Sequence, residues 1–254
     1  MKICVTIAAL CAAAGMASAQ VATINGSGNV AGNGNSGFGG VIGTGSMDIE
    51  TLGDGTVNLT LTRGASGHFN NTVIYFDTTG GGVSNTSVLT DTGGGSFDGG
   101  RAAISGSGGN GLNADLGFGA NFAAEFAISY ETGFGGMFSI GADPTNHGFV
   151  TTVFGGGADA NDATFTMSFN MSDLGLAAGD SFKMVATYLN AFDGFRSGEF
   201  IGANDTGPFP ADPNIGQNEW ILGDEDFILV NSVPSPGALG ALGLGGLLAA
   251  RRRR

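Results

Sequence analysis

Apolar and polar residues alternate along several short segments in the middle of the chain. The alternation is regular in Thr56–Thr62 and recurs in residues 163–171 and 181–189. A period of two is typical of a β-strand that buries one face and exposes the other. We therefore expect three half-buried strands whose apolar faces share a core. The large side chains predicted to face that core are Phe165, Phe169, Phe182 and Tyr188.

Shorter apolar runs, rich in β-branched and aromatic residues, predict further strands between glycine-rich turns. They lie at residues 72–76, 122–130, 137–140, 148–154, 220–222 and 227–230. Glycine accounts for 49 of the 254 residues without a fixed period, which favours turns and excludes collagen. Helical signals are scarce; the strongest is residues 172–176, with Ser172 as the candidate cap. The pattern predicts an all-β fold, an antiparallel two-sheet β-sandwich that is jelly-roll-like.

The first 19 residues have the composition of a secretory signal peptide. Met1-Lys2 is positively charged, residues 3–14 carry no charge, and Ala17-Ser18-Ala19 provides a small-x-small site before Gln20. We expect signal peptidase to cleave between Ala19 and Gln20. The alternative is a retained N-terminal anchor helix. The short apolar run argues against it, because a membrane span needs about 20 residues.

The C-terminal end combines a proline motif, an apolar stretch and a basic cluster. Residues 237–250 are apolar and rich in glycine; they follow Val233-Pro234-Ser235-Pro236 and precede four arginines. By the positive-inside rule, the arginines stay in the cytoplasm while the body lies outside. The apolar stretch is short for a permanent span. The end is therefore either a processed sorting signal or a single-span tail anchor.

These three features, in this order, resemble the PEP-CTERM sorting signal of bacteria, in a variant typical of planctomycete-like proteomes. The resemblance covers residues 232–254, and Ser235 stands where the common form has glutamate. It implies that the chain is the substrate of an exosortase-like enzyme and is held in the membrane only transiently. The residues that match the motif and the basic end are Val233, Pro234, Ser235, Pro236, Gly237, Arg251, Arg252, Arg253 and Arg254.

The body between the two signals, residues 20–231, is acidic and free of cysteine. Both cysteines lie within the first 19 residues, so no disulfide framework stabilises the body. Without the signals, the nine basic residues fall to four while all 22 acidic residues stay, which gives a formal charge of −18. Such a charge should repel nucleic acid and anionic lipid. It either attracts divalent cations or simply keeps the protein soluble, and solubility is the simpler explanation. The length suits one domain.

Few residues of the body suggest catalysis or metal binding. His68 and His147 lack the spacing of a zinc site, and we expect both at turns or on the surface. Gly179-Asp180-Ser181 is similar to an esterase nucleophile block, but its position predicts the opening of a strand instead. We expect no cofactor other than calcium, for which the alternative is a set of solvated loop acids. The calcium candidates in two late loops are Asp205, Asp212, Asp224 and Asp226.

Two segments of the body resemble DOMON-like and carbohydrate-binding-module-like β-sandwiches. They are the strand–turn–strand of residues 165–183 and the strand and glycine turn of residues 73–82. We predict an exported, non-catalytic protein of the cell envelope or extracellular matrix, displayed at the surface or secreted. One alternative is a carbohydrate-binding module that docks on extracellular polysaccharide, which an exposed aromatic platform would favour. Another is a glycan hydrolase, which two convergent carboxylates in a deep cleft would favour.

Overall fold

A computed structural model describes residues 19–27, 38–94, 96, 98–109, 111–141, 143–203 and 220–234. In this part of the chain the regular structure is predominantly β, which confirms the all-β prediction. One α-helix among the described residues, α1, spans Gly99–Ser105. The strands, in chain order, are β1 (Gln20–Ser27), β2 (Ser46–Thr51), β3 (Thr56–Thr62), β4 (Asn71–Asp77), β5 (Leu116–Gly117), β6 (Phe126–Glu131), β7 (Phe134–Ser139), β8 (Gly148–Thr152), β9 (Phe154–Gly156), β10 (Thr164–Asn170), β11 (Ser181–Asn190), β12 (Phe195–Ile201), β13 (Trp220–Ile221) and β14 (Ile228–Asn231).

Twelve of these strands form one antiparallel sheet. Their order is β8-β7-β6-β4-β11-β12-β1-β2-β3-β10-β9, and β14 pairs with β11. β5 and β13 form a separate parallel pair. The predicted division into two sheets is not shown, because β1 is shared. Its residues 20–25 pair with β2 while Gly26 and Ser27 pair with β12, so the sheet is continuous and barrel-like.

The change of partner within β1 depends on a close approach at Gly26. A Cβ on Gly26 would overlap the carbonyl oxygen of Ile42, so only glycine lets the strand pass this close to the loop at residues 40–43. Glu199 of β12 holds that loop, and this residue is 1% exposed. Its carboxylate accepts hydrogen bonds from the backbone N–H groups of Gly40, Ile42 and Gly43 at 3.0, 2.7 and 3.0 Å.

The curled sheet encloses a core between its β2-β3-β10 part and its β4-β6-β11 part. Phe76 of β4 meets Phe169 of β10 edge-on, with ring centroids 5.6 Å apart. On β10, Phe165, Met167 and Phe169 are buried, and the residues between them are partly or fully exposed. The four aromatic side chains predicted to face the core are all at most 5% exposed, which confirms that prediction: Phe165, Phe169, Phe182 and Tyr188.

A second apolar layer covers the other face of β4 and β11. Val73 and Tyr75 of β4, with Val185 and Leu189 of β11, pack against α1 and the loops within residues 83–124. These two strands are therefore buried on both faces, whereas the alternating pattern of residues 181–189 predicts one exposed face. The prediction fails here because the covering segment is distant in sequence and carries little periodicity of its own.

The described residues also include three 3₁₀ turns, at Thr86–Val88, Met171–Leu174 and Asp224–Asp226. Two of the short helical segments bear on the prediction. α1 was not predicted, because it is only seven residues long and begins with two glycines; Asp98 caps its N-terminus. The turn predicted at residues 172–176 is a 3₁₀ turn at Met171–Leu174. Its cap is Asn170 and not Ser172, because the Asn170 side chain accepts a hydrogen bond from the N–H of Ser172.

Candidate functional site

The first described strand begins directly after the predicted signal-peptidase site. β1 starts at Gln20, which pairs with Thr51 of β2. Ala19 and Gln20 are both exposed, and Ala17 lies outside the described residues. Within the described chain, no strand pairing involves a residue before Gln20. Cleavage at this point therefore leaves the sheet intact.

At the other end, the last strand stops just before the proline motif. The residue that follows β14 is Ser232, which is buried. Its hydroxyl donates to the carbonyl of Asp180 and accepts from the N–H of Gly179, both at 2.8 Å. Val233 is half-buried and Pro234 is exposed. The chain is thus hydrogen-bonded to the body up to Ser232, the residue directly before the proline motif.

The two ends of the body are neighbours. Gln20 and Ala22 of β1 line the same shallow cavity, of about 30 Å³, as Leu229 and Asn231 of β14. Among the described residues, no helix is long and apolar enough to cross a membrane. The part of the predicted sorting signal that lies outside the described chain comprises Ser235, Pro236, Gly237, Arg251, Arg252, Arg253 and Arg254.

Three turns at one end of the sheet each present an exposed phenylalanine. Thr72 of β4 pairs with Tyr130 of β6 and with Tyr188 of β11. The loop before β4, the β6–β7 turn and the β11–β12 turn therefore lie side by side. We call the three exposed side chains in these turns the aromatic tips: Phe69 (73% exposed), Phe134 (42%) and Phe192 (65%).

The loop that carries Phe69 is anchored on both sides of this residue. His68 is fully buried, and its backbone N–H donates to the carbonyl of Ala160 at 2.8 Å. The N–H of Asn70 donates to the hydroxyl of Tyr188 at 2.9 Å. The ring of Phe69 is therefore held in solvent by neighbours that are themselves fixed to the core.

The other two tips also lie on hydrogen-bonded turns. Around Phe192, the side-chain amide of Asn190 donates to the Asp193 carboxylate at 2.8 Å, and its oxygen accepts from the N–H of Asp193 at 3.1 Å. In the β6–β7 turn, the hydroxyl of Thr132 donates to the carbonyl of His68 at 2.8 Å. The aromatic tips thus share a preorganised surface. The sequence analysis did not identify it, because nothing in the composition of these turns separates exposed from buried phenylalanines.

His68 and His147 both lie in loops, as predicted, but neither is on the surface, because they are 0% and 1% exposed. His68 packs against the rings of Phe165 and Tyr188, with centroids 4.6 and 5.3 Å away. Its Nε2 forms a hydrogen bond with the hydroxyl of Thr72 at 2.8 Å. Burial lowers the pKa of both histidines to about 4, so both are neutral at pH 7.

His147 belongs to a buried polar cluster beneath α1. Its Nε2 lies 2.9 Å from the hydroxyl of Ser105, a distance also found between a nucleophile and its base. That hydroxyl donates to the carbonyl of Asp91, which assigns the ring proton of His147 to Nε2. The Asp91 carboxylate binds the backbone N–H of His147 and the guanidinium of Arg101, both at 2.6 Å, and not the imidazole. The cluster therefore fastens α1 to the layer below and lacks the geometry of a catalytic triad.

An open groove of about 370 Å³ lies beside the glycine turn at residues 80–82. Phe126 of β6 and Ser139 of β7 contribute to its walls. Glu125 is the only carboxylate among the described residues that line the groove, and it accepts a hydrogen bond from the N–H of Thr78 at 2.8 Å. A glycosidase uses two carboxylates that flank the scissile bond. The groove does not supply that pair.

The segment Gly179-Asp180-Ser181 opens β11, as the sequence predicts. The Asp180 carboxylate accepts a hydrogen bond from the N–H of Ala177 at 2.8 Å, and the hydroxyl of Ser181 donates to the side-chain oxygen of Asn231 at 2.9 Å. These contacts shape the turn and the start of the strand, which is a structural role.

The calcium candidates fall only partly within the described chain, because Asp205 and Asp212 lie outside it. Asp224 accepts hydrogen bonds from the backbone and side-chain N–H groups of Asn121 at 2.8 and 2.7 Å. Asp226 accepts one from the N–H of Gly223 at 2.7 Å. Among the described residues, no three His, Cys, Asp or Glu side chains are grouped closely enough to hold a metal ion. Calcium binding stays a prediction.

Known proteins offer no assignment for these features. No family model, curated protein or solved structure matches the chain. The function is therefore inferred from the two ends of the body and from the aromatic tips.

Proposed function

We propose that this chain is an exported, non-catalytic protein of the bacterial cell envelope or extracellular matrix, sorted by an exosortase-like enzyme. One observation supports the proposal: among the described residues, the first strand begins and the last strand ends next to the predicted signals. β1 starts at Gln20, and the last residue anchored by side-chain hydrogen bonds to the body is Ser232. Both signals can be removed without breaking a described strand pairing.

Export starts with the signal peptide of residues 1–19, which signal peptidase removes. Its small-x-small site, Ala17-Ser18-Ala19, directly precedes β1. The exposure of Ala19 supports cleavage here, because a protease needs an accessible, extended segment. The product begins at Gln20 and keeps every described pairing of β1.

Sorting then uses the C-terminal signal. The arginines at residues 251–254 resist translocation, so the tail stalls with its C-terminus inside. The apolar residues 237–250 are of marginal length and hold the chain weakly. Pro234 and Pro236 prevent the helix from extending backwards, which leaves an extended segment outside the membrane for the sorting enzyme. The exposure of Pro234 supports this role.

Between the signals, the body serves as a stable display module. We propose that it behaves as a β-sandwich, in which the two parts of the curled sheet enclose one core and need no disulfide. Its formal charge of −18 keeps it soluble at the cell surface and away from nucleic acid and anionic lipid.

The arginine cluster provides the test. Deletion of residues 251–254 should leave protein that is uncleaved or mislocalised, as measured by cell fractionation and immunoblotting against the body. Replacement of all four arginines by lysine is the matched control and should preserve sorting, because the topology depends on positive charge. Normal sorting of the deletion variant would contradict the proposal.

Polysaccharide docking is a second candidate function, and the aromatic tips favour it. It is compatible with the first, because an exported protein can also bind a glycan. The hydrolase alternative has no comparable support among the described residues, since the groove beside Glu125 presents a single carboxylate.

A further inference from the structure

We propose that the aromatic tips, Phe69, Phe134 and Phe192, bind a neutral extracellular polysaccharide. The biological setting rests on the proposed export of the chain. The binding itself is a property of the folded body, so it can be measured independently of how the protein is sorted.

The tips form a row along one end of the sheet. In the strand order β7-β6-β4-β11-β12, Phe134 opens β7, Phe69 precedes β4, and Phe192 lies between β11 and β12. Neighbouring strands lie about 4.8 Å apart, so the three and a half spacings from β7 to the β11–β12 turn make the row about 17 Å long. A single exposed apolar residue is common on a protein surface, whereas three on adjacent turns mark an interaction site.

The row is also rigid, which distinguishes it from three loose loops. Phe69 lies between the buried His68 and Asn70, whose N–H is bound to a core tyrosine. Phe192 lies within the reciprocal hydrogen bonds of Asn190 and Asp193. A backbone segment that is already ordered loses little conformational entropy when a ligand binds, and a phenylalanine side chain has only two rotatable bonds to fix. The hydrogen bonds that order the backbone around the aromatic tips are therefore present before a ligand binds.

Each tip has a polar neighbour. The ring of Phe69 and the side-chain oxygen of Asn161 both lie against Gly67. Phe134 is paired across the strands with Glu131, and Phe192 is adjacent in sequence to Asp193. A pyranose ring has an apolar C–H face, which stacks on the negative face of an aromatic ring, and a rim of hydroxyl groups. Aromatic faces beside hydrogen-bond acceptors match both features.

Other occupants fit this surface less well. A second copy of the chain would bring together two bodies of formal charge −18, with acidic groups beside the tips. A protein interface also needs an apolar centre that is depleted of charge. An anionic membrane is repelled by the same charge. A neutral polysaccharide meets no such repulsion.

The test compares the purified mature protein with two variants on cellulose, xylan and mannan, with alginate and anionic lipid vesicles as charged comparisons. We expect the wild-type protein to be retained by at least one neutral polysaccharide. The triple variant Phe69→Ala, Phe134→Ala, Phe192→Ala should bind that polysaccharide at least tenfold more weakly in depletion isotherms. Phe149→Ala is the matched control, because this phenylalanine is 53% exposed on β8 and outside the row, and it should bind normally.

Thermal unfolding of the same variants separates binding from folding, and all three proteins should unfold at similar temperatures. The proposal is overturned if no neutral polysaccharide retains the wild-type protein, or if the triple variant binds as well as Phe149→Ala. It is also overturned if the wild-type protein prefers the vesicles, or if sedimentation shows a dimer that the triple variant abolishes. Recovery of an uncleaved C-terminal tail would contradict the proposed sorting and leave this binding unaffected.

Discussion

Substitution of Glu199, whose carboxylate is buried, should destabilise the body more than most single substitutions. It accepts three backbone hydrogen bonds from the loop at residues 40–43. In the variant Glu199→Gln, the amide oxygen can keep the partners of one carboxylate oxygen, Ile42 and Gly43. The amide NH₂ group then faces the N–H of Gly40, so one buried donor loses its acceptor.

The expected loss follows from these contacts. An unsatisfied buried donor costs about 1–3 kcal/mol, and the two remaining bonds lose their charge assistance. We expect Glu199→Gln to lower the free energy of unfolding by about 3 kcal/mol, a large share of the roughly 5–15 kcal/mol of a typical domain. Glu50→Gln is the control. The carboxylate of Glu50 is only partly buried and accepts a hydrogen bond from the side-chain amide of Asn58 at 2.8 Å, so the loss should stay at about 0.5 kcal/mol.

Urea unfolding of the two variants measures this difference, and hydrogen exchange locates it. The amide of Gly40 should exchange fastest in Glu199→Gln, followed by those of Ile42 and Gly43, whose bonds lose charge assistance, while amides in β3 should change only with global stability. Equal losses in both variants, or unchanged exchange in the loop, would refute the assignment of Glu199 as the residue that holds the loop.

Three further changes follow from the packing. Because the folded pKa of His68 and of His147 is about 4, below the unfolded value of about 6.5, the unfolded chain binds more protons between these values. The free energy of unfolding should therefore be highest above pH 6.5 and fall by about 3 kcal/mol per histidine as the pH is lowered to 4. Urea unfolding midpoints across this pH range measure the effect, and the variant His147→Gln, which lacks one of the two histidines, serves for comparison. Phe165→Ala should cost about 4 kcal/mol of unfolding free energy in urea, against about 1 kcal/mol for Phe149→Ala, whose half-exposed ring meets Phe138 edge-on at 5.6 Å. Gly26→Ala should cost more than about 2 kcal/mol in the same assay, because the backbone must move to admit the methyl group.

The parts of the fold that could be predicted are those whose signal is local. β3 and β10 bury one face each, so the alternation of their residues gives both their bounds and their orientation, as at Phe165 and Phe169. The sequence pattern did not predict β12, because Arg196 and Glu199 interrupt its apolar residues. Both charges are buried, and their partners lie far away in sequence. No local pattern reveals such a partner.

The candidate sites also differ in whether the local sequence reveals them or whether they depend on the fold. The proposed terminal signals rest on composition, so their candidate residues can be identified in the sequence without knowledge of the fold. The aromatic tips are defined by exposure and by strand register, as the pairing of Thr72 with Tyr130 and Tyr188 shows. The histidines were misjudged for the opposite reason. Isolated polar residues in turns are usually exposed, but the rings of Phe165 and Tyr188 enclose His68.

The central claim is that both ends of this chain are processed around an intact body. Mass spectrometry of the mature protein from wild-type cells tests it most directly, with cells that lack the sorting enzyme as the comparison. We predict an N-terminal peptide that starts at Gln20, and a C-terminus near Pro234 in wild-type cells only. Peptides that extend through Ala250 in the mature wild-type protein would contradict the account, because the tail would then be a permanent anchor.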